Sequence, residues 1–275
     1  MTTPPPSEAY HFIKTRTASL PRMGLILGSG LGGLASKIEN RIEIPYRDIP
    51  GFQSTHAVGH QGCLIFGSLE GVSLVVMAGR FHRYEGYSTQ QVTFPVEVMK
   101  LLGIEQLVIT NAAGGINPQL SVGDIIILRD HINWLGGVIS PSHQMNAQEE
   151  WNLATHRHAS DFYSRKLSEQ AFEIARQNDL PVFPGTYLGT LGPTYETRSE
   201  YRMMKAMGAD VVGMSSIPEA LMGKQLGIDP LVLSIVTNVA TPDQQNVADH
   251  DEVLLVGQKT SAVVEILIRN LLQSL

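Results

Sequence analysis

Arg80, His82 and Tyr84 alternate along Gly79-Arg-Phe-His-Arg-Tyr-Glu-Gly86, directly after the apolar run Val72–Ala78. In an extended chain that alternation places a guanidinium, an imidazole and a phenol on one side. Open α/β sheets bind ligands at the carboxyl ends of their strands. Arginine offers a planar fork suited to phosphate, and histidine adds a donor whose charge changes near neutral pH. The combination reads as an anion site rather than a solvated basic loop.

Other apolar runs end in groups of the same kind. Met23–Leu27 leads into Gly28-Ser-Gly-Leu-Gly-Gly33, which presents the Ser29 hydroxyl and close-approaching backbone. Gly28, Gly30 and Gly33 also match the dinucleotide pattern, but the acid that pattern wants about 20 residues on would be Asp48, in a turn-like Tyr-Arg-Asp-Ile-Pro. One small anion suits the segment better. Gln106–Thr110 opens into Asn111-Ala-Ala-Gly-Gly115, whose small residues let backbone N–H groups near a ligand. Val211-Val-Gly-Met-Ser-Ser-Ile-Pro-Glu219 has the same layout, with Ser215 or Ser216 placed to cap a helix and no G-x-S-x-G elbow. Thr237 and Asn238 end the run from Leu231, and an amide can read a heterocycle edge. Tyr195 and Glu196 set an aromatic face beside a carboxylate, apt for a base and its ring N–H. His60, His131 and His250 are further candidates, and none has the spacing of a compact metal site.

The elements that must carry these groups follow from periodicity. Strands are expected at Met23–Leu27, Cys63–Phe66, Val72–Ala78, Gln106–Thr110, Asp124–Leu128, Thr186–Thr190, Val211–Met214 and Leu231–Thr237. Helices are expected at Ser7–Ser19, from Gly33 to about Asn40, and at Thr89–Leu102, Asp161–Gln177, Thr197–Met207, Pro218–Leu226 and Asp251–Leu272. The alternation predicts one α/β domain over residues 1–275, after a frayed prolyl start at 1–6, with a long mobile loop at 134–160.

Composition narrows the class. The 275 residues are 43% hydrophobic and 17% charged, enough for a sizeable core. A net charge of −6 argues against a nucleic-acid binder. The single cysteine, Cys63, cannot form an intrachain disulfide. No run approaches the ~20 apolar residues of a membrane span, and the amino-terminal residues do not resemble a signal peptide. A cytoplasmic protein without a membrane partner is expected.

The ordered segments resemble the trimeric purine nucleoside phosphorylases, the branch acting on 6-oxopurine nucleosides. The resemblance is carried by Leu27–Gly33, Gly79–Gly86, Val92-Thr-Phe-Pro95, Thr110–Gly115, Asp130-His-Ile-Asn133, Gly192–Thr197, Val212-Gly-Met-Ser215, Pro218-Glu219 and Thr237-Asn238. It implies a mixed, twisted, partly barrel-like sheet flanked by helices, and a homotrimer. It implies that phosphate attacks C1′ of inosine, guanosine or their deoxy forms, releasing purine and (deoxy)ribose 1-phosphate. By the same resemblance Ser29, His60, Arg80, His82, Ala112 and Ser215 hold phosphate. Tyr84, Met214 and His250 address the ribose, and Tyr195, Glu196, Val212, Thr237 and Asn238 surround the purine, with the substrate-site candidate Tyr187 packed nearby. Asn238, Glu196 and His82 are its catalytic candidates. No cofactor is implied, phosphate being a co-substrate.

Family members commonly carry an Arg-Phe-Pro segment whose phenylalanine reaches a neighbour's ribose. Here Thr155-His-Arg-His-Ala-Ser160 stands there, with His156 nearest that position. A methylthioadenosine phosphorylase usually has aspartate at the place of Asn238. The same motifs also admit a xanthosine-preferring phosphorylase, or a nucleoside-binding protein without catalysis.

Overall fold

Long apolar runs with no polar alternation dictate strands buried on both faces, and the sheet is built from them. The computed structural model describes residues 4–55, 59–137, 162–240 and 250–275, with side chains in the last stretch from Leu255 onward. Its strands are β1 (Met23–Leu27), β2 (Glu39–Pro45), β3 (Cys63–Leu69), β4 (Val72–Ala78), β5 (Gln106–Gly115), β6 (Ile125–Asn133), β7 (Val182–Gly189), β8 (Val211–Gly213) and β9 (Pro230–Val239). They form one sheet in the order β2-β3-β4-β1-β5-β8-β7-β6-β9. β9 also pairs in parallel with β5, so β5, β8, β7, β6 and β9 close on themselves as a partial barrel.

Helices cover the sheet: α1 (Pro6–Arg16), α2 (Gly32–Ala35), α3 (Thr89–Leu101), α4 (Arg165–Gln177), α5 (Arg198–Ala206), α6 (Ile217–Gln225) and α7 (His250–Gln273). Strand residues alternate between two large apolar clusters, as a pleat requires. Ile26, Val75 and Met77 join residues of α1, α3 and α6 in one. Met23, Leu25, Leu27, Leu74 and Val76 join residues of α2, α4 and α7 in the other.

Expectation and structure agree to the residue at β1 and β4, and differ informatively elsewhere. The helix expected to Asn40 is one turn, and Glu39–Pro45 instead pairs antiparallel with β3 at the sheet edge. Its charged, mostly exposed residues hide the strand pattern, as edge strands often do. β5 runs on through Asn111–Gly115, where small residues carry no strand signal but pair with β9 and β8. α4 begins at Arg165, capped by Ser164. At the amino end, Pro6 is buried at the start of α1, where a proline's missing N–H costs nothing. Much of the expected loop at 134–160, including His156, lies outside the described residues.

The dinucleotide reading fails on packing. Its third glycine should admit close helix–strand contact, yet a Cβ at Gly33 would meet nothing within 4 Å. Asp48 stands in a 3-10 turn after an edge strand. Gly28 matters for another reason. A Cβ there would lie 2.7 Å from the Thr110 carbonyl oxygen and 2.8 Å from Asn111 Cα. Thr110 Oγ1 accepts from the Gly28 N–H at 3.1 Å and donates to the Ile26 carbonyl at 3.0 Å, tying β1 to β5 where both reach the site. Gly28→Ala is therefore expected to cost about 1–3 kcal/mol, as overpacking does, read as a lower Tm; an unchanged Tm would show that β5 gives way freely.

Candidate active site

The carboxyl ends of β1, β4, β5, β8 and β9 meet at one cavity of about 310 Å³. Its lining includes Ser29, His60, Arg80, His82, Tyr84 and Ala112. Tyr195, Glu196, Val212, Met214, Ser215, Thr237 and Asn238 line it as well. One candidate from the resemblance with a described side chain does not. Tyr187 is fully buried behind the wall, its Oη accepting from the Ser215 N–H at 3.3 Å. His250 opens α7, and its side chain is outside the described set. His131 is elsewhere, with Nδ1 2.9 Å from Tyr163 Oη and its ring edge-on to Phe162.

Arg80 leaves β4 straight into the interior and is only 1% exposed, which overturns the picture of a solvated basic loop. NH1 donates to Ser216 Oγ at 2.8 Å and Ser215 Oγ at 3.2 Å. NH2 donates to the carbonyls of Ile26, at 3.3 Å, and Thr110. Nε has no hydrogen-bond partner among the described residues. A buried guanidinium needs such compensation, because desolvation otherwise costs several kcal/mol.

Simple alternation does not hold through the segment. The chain is extended at His82 but turns at once into a 3-10 turn, Arg83–Glu85. The turn stacks the Tyr84 ring on His82 at 4.7 Å, and His82 in turn stacks on His60 at 5.4 Å. Both histidines and the tyrosine thus line one wall. Glu85 accepts from the His82 N–H at 2.7 Å and stands 3.2 Å from its Nδ1, which leaves Nε2 on the opposite ring edge. Burial, then the nearby Glu85 charge, pushes the Tyr84 phenol up to about 12, so it keeps its proton as a donor.

His60 is held neutral by its surroundings. Its Nδ1 lies 3.1 Å from the Arg80 backbone nitrogen and 3.3 Å from Thr55 Oγ1, and its Nε2 lies 3.4 Å from Ser29 Oγ. Burial, then His82 and Arg80, lower its pKa to about 3; the Arg80 carbonyl, 3.2 Å from Nδ1, opposes the shift. Gly79, at φ +104°, makes room, since a Cβ there would sit 2.5 Å from the His60 Cβ.

The polar groups beyond Met214 are oriented by their own neighbours. Glu196 stays in the loop because Thr197 caps α5 with Glu200 in a capping box. Thr190 Oγ1 donates to Glu196 Oε1 at 3.2 Å. Tyr201, on α5, also hydrogen-bonds Glu196 and lines the cavity; burial, then that carboxylate, raises its pKa. Sequence reasoning missed Tyr201; its one signal was the i, i+5 spacing from Glu196 across a cap. The Thr237 hydroxyl is 3.3 Å from both Asn238 Oδ1 and the Ala113 carbonyl. With Oδ1 so engaged, Nδ2 is the amide's free donor face. A bulge between Ala113 and Gly114 brings Asn238 opposite Gly114, which has no side chain to crowd it.

Ser216, not Ser215, takes the N-cap position of α6, with φ +62°. It makes no cap hydrogen bond and instead accepts from Arg80 and from Asn111 Nδ2 at 2.9 Å. Left-handed backbone on a non-glycine residue is strain that surrounding structure must hold, and such strain clusters at functional sites.

With His60 at about 3 when folded and ordinary when unfolded, the unfolded chain binds the extra proton between those values. This histidine's contribution to stability is therefore intact above about 6.5 and declines as pH falls toward about 3. Its ring resonances should not titrate between pH 5 and 8 by NMR; a midpoint near 6.5 would contradict a ring held neutral.

Comparison with known proteins agrees with this geometry. Residues 22–273 match the family model described as the phosphorylase superfamily. A purine nucleoside phosphorylase 1 of Geobacillus stearothermophilus is 43% identical, covering 96% of both chains. A purine nucleoside phosphorylase of Schistosoma mansoni crystallised with inosine superposes with TM-score 0.87 at 38% identity, covering 98% of this chain and 96% of that one. One crystallised with adenosine gives 0.86 at 37%, with the same coverage. The chain belongs to the phosphorylase superfamily and, within it, to the purine nucleoside phosphorylase family.

Proposed function

We propose that this enzyme cleaves 6-oxopurine nucleosides with inorganic phosphate, giving the free base and (deoxy)ribose 1-phosphate. The observation that carries the reading is one cavity lined both by an arginine–histidine–serine group and by an amide–carboxylate pair. Phosphate is held by Arg80, Ser29, Ser215, His82 and the Ala112 N–H, with the neutral His60 beside Ser29. It is thereby positioned against C1′, and positioning alone removes much of a bimolecular barrier.

Glycosidic cleavage leaves a cation-like sugar and an electron-rich purine. The phosphate anion stabilises the first. Asn238 Nδ2, donating toward N7 and O6, stabilises the second, and donors aimed at developing charge are the effective kind. Glu196 accepts from N1–H, a proton that a 6-oxopurine carries and a 6-aminopurine lacks. Tyr84 and Met214 flank the sugar, and Tyr195 offers its ring to the base. A 6-aminopurine suits a carboxylate that accepts from its exocyclic amine, and the amide at Asn238 in that place disfavours the methylthioadenosine reading.

Because relatives are seen with inosine and with adenosine, turnover rather than occupancy discriminates the base. Inosine and guanosine should be cleaved only when phosphate is present, and adenosine poorly. Equal rates for adenosine and inosine, or full rates without phosphate, would overturn the reading. In the same assay Asn238→Asp should lower inosine kcat/KM by about 10²–10³-fold, the usual cost of one such donor, and shift the ratio toward adenosine. We further propose a cyclic homotrimer, so light scattering should give three chain masses; a monomer at micromolar concentration would refute it.

A further inference from the structure

Arg80 has a second neighbour that the proposed reaction does not use. Glu219 sits in the first turn of α6, is 2% exposed, and does not line the cavity. Its Oε2 stands 3.5 Å from Arg80 NH1 and makes no hydrogen bond among the described residues, so the attraction there is Coulombic. The guanidinium thus lines the cavity while also neighbouring a buried carboxylate that does not. Its fork is aimed by other groups: Ser216 Oγ, Ser215 Oγ and the carbonyls of Ile26 and Thr110. Direction and charge balance are therefore supplied by different residues.

We propose that Glu219 is a resident counter-ion of Arg80 that limits how tightly the cavity holds phosphate. The proposal rests on the reading of this cavity as a phosphate site. Two buried charges a few ångströms apart interact strongly at the low effective dielectric of an interior. A phosphate entering beside Arg80 meets a guanidinium whose charge is already shared with Glu219, and it is also repelled by that carboxylate. Without Glu219, phosphate would be the dominant counter-charge and would be held harder. The sugar phosphate formed in turnover carries the same anion, so the carboxylate favours its release as well. Orientation of the fork survives, because Ser216 and the two carbonyls remain, and glutamine fills the same volume.

The test measures steady-state kinetics with inorganic phosphate and inosine, and thermal shift with inorganic phosphate alone, on the whole protein. Glu219→Gln should lower the phosphate KM roughly tenfold, leave the inosine KM unchanged, and reduce kcat if release becomes limiting. Its Tm should fall without phosphate and recover more on adding phosphate than the wild type gains. Glu219→Asp, keeping the charge but drawing it back, should give an intermediate phosphate KM. A purely structural role predicts a lower Tm with the same phosphate increment and an unchanged phosphate KM, and that result would overturn the proposal. A raised phosphate KM would overturn it too, showing that Glu219 aims the fork. If Glu219→Gln does not fold, the aspartate variant decides by itself, since an unchanged phosphate KM there refutes the counter-ion role. A wild-type protein that neither needs phosphate for turnover nor is stabilised by it would fail the phosphate reading first and the counter-ion with it.

Discussion

A cation held away from water at the end of β4 is the constraint on which the site depends. Arg80 cannot lose its proton, and its burial must be offset by partners with good geometry. Those partners come from three separate parts of the chain: the end of β1 through Ile26, β5 through Thr110, and the start of α6 through its strained N-cap Ser216 and Glu219 in its first turn. Each of these segments is fixed by meeting that one guanidinium. The positive φ of Ser216 makes sense in this light, because it turns a hydroxyl toward both Arg80 and Asn111 rather than toward its own helix.

Two groups of the wall around the cation are kept neutral. His60 is held neutral by its burial and by the nearby His82 and Arg80, and Tyr84 keeps its phenolic proton. Neither of these two groups changes protonation over the neutral range. Stacking of His60, His82 and Tyr84 also limits ring rotation, so the donors are aimed before any ligand arrives. Preorganised donors cost no rearrangement at the moment of reaction, and electrostatic stabilisation depends on that.

Closure of the sheet into a partial barrel brings the anion wall to the base-reading residues. β5 is shared between the open sheet, through β1, and the ring, through β8 and β9. Ala112 therefore faces the same cavity as Arg80 on one side and Asn238 on the other. Small residues over Asn111–Gly115 permit this sharing, since a Cβ at Gly114 would already be in contact with the Asn238 amide at 3.5 Å. The bulge beside it sets the register in which Asn238 reaches the cavity.

By itself the sequence determined what local chemistry and periodicity control. Apolar runs such as Met23–Leu27 and Val72–Ala78 are strands because most of their residues must leave water, and the residues that follow them are polar where they reach the cavity. The order of motifs, from Ser29 through Arg80 to Asn238, was legible as a resemblance and gave most of the cavity lining. Tertiary structure decided what depends on partners distant in the chain. Edge strand β2 exists only by pairing with β3, against the bias of its charged residues. Tyr201 joins the site because the turn after a capped loop brings it back to Glu196, and Tyr187 leaves it because Ser215 takes its hydroxyl. Nothing local to Glu219 announces a partner; only packing of α6 against the end of β4 makes it the counter-charge of Arg80. Periodicity reports whether a residue is buried, whereas its pairing is a property of the folded chain, set by contacts whose energy no window of sequence contains.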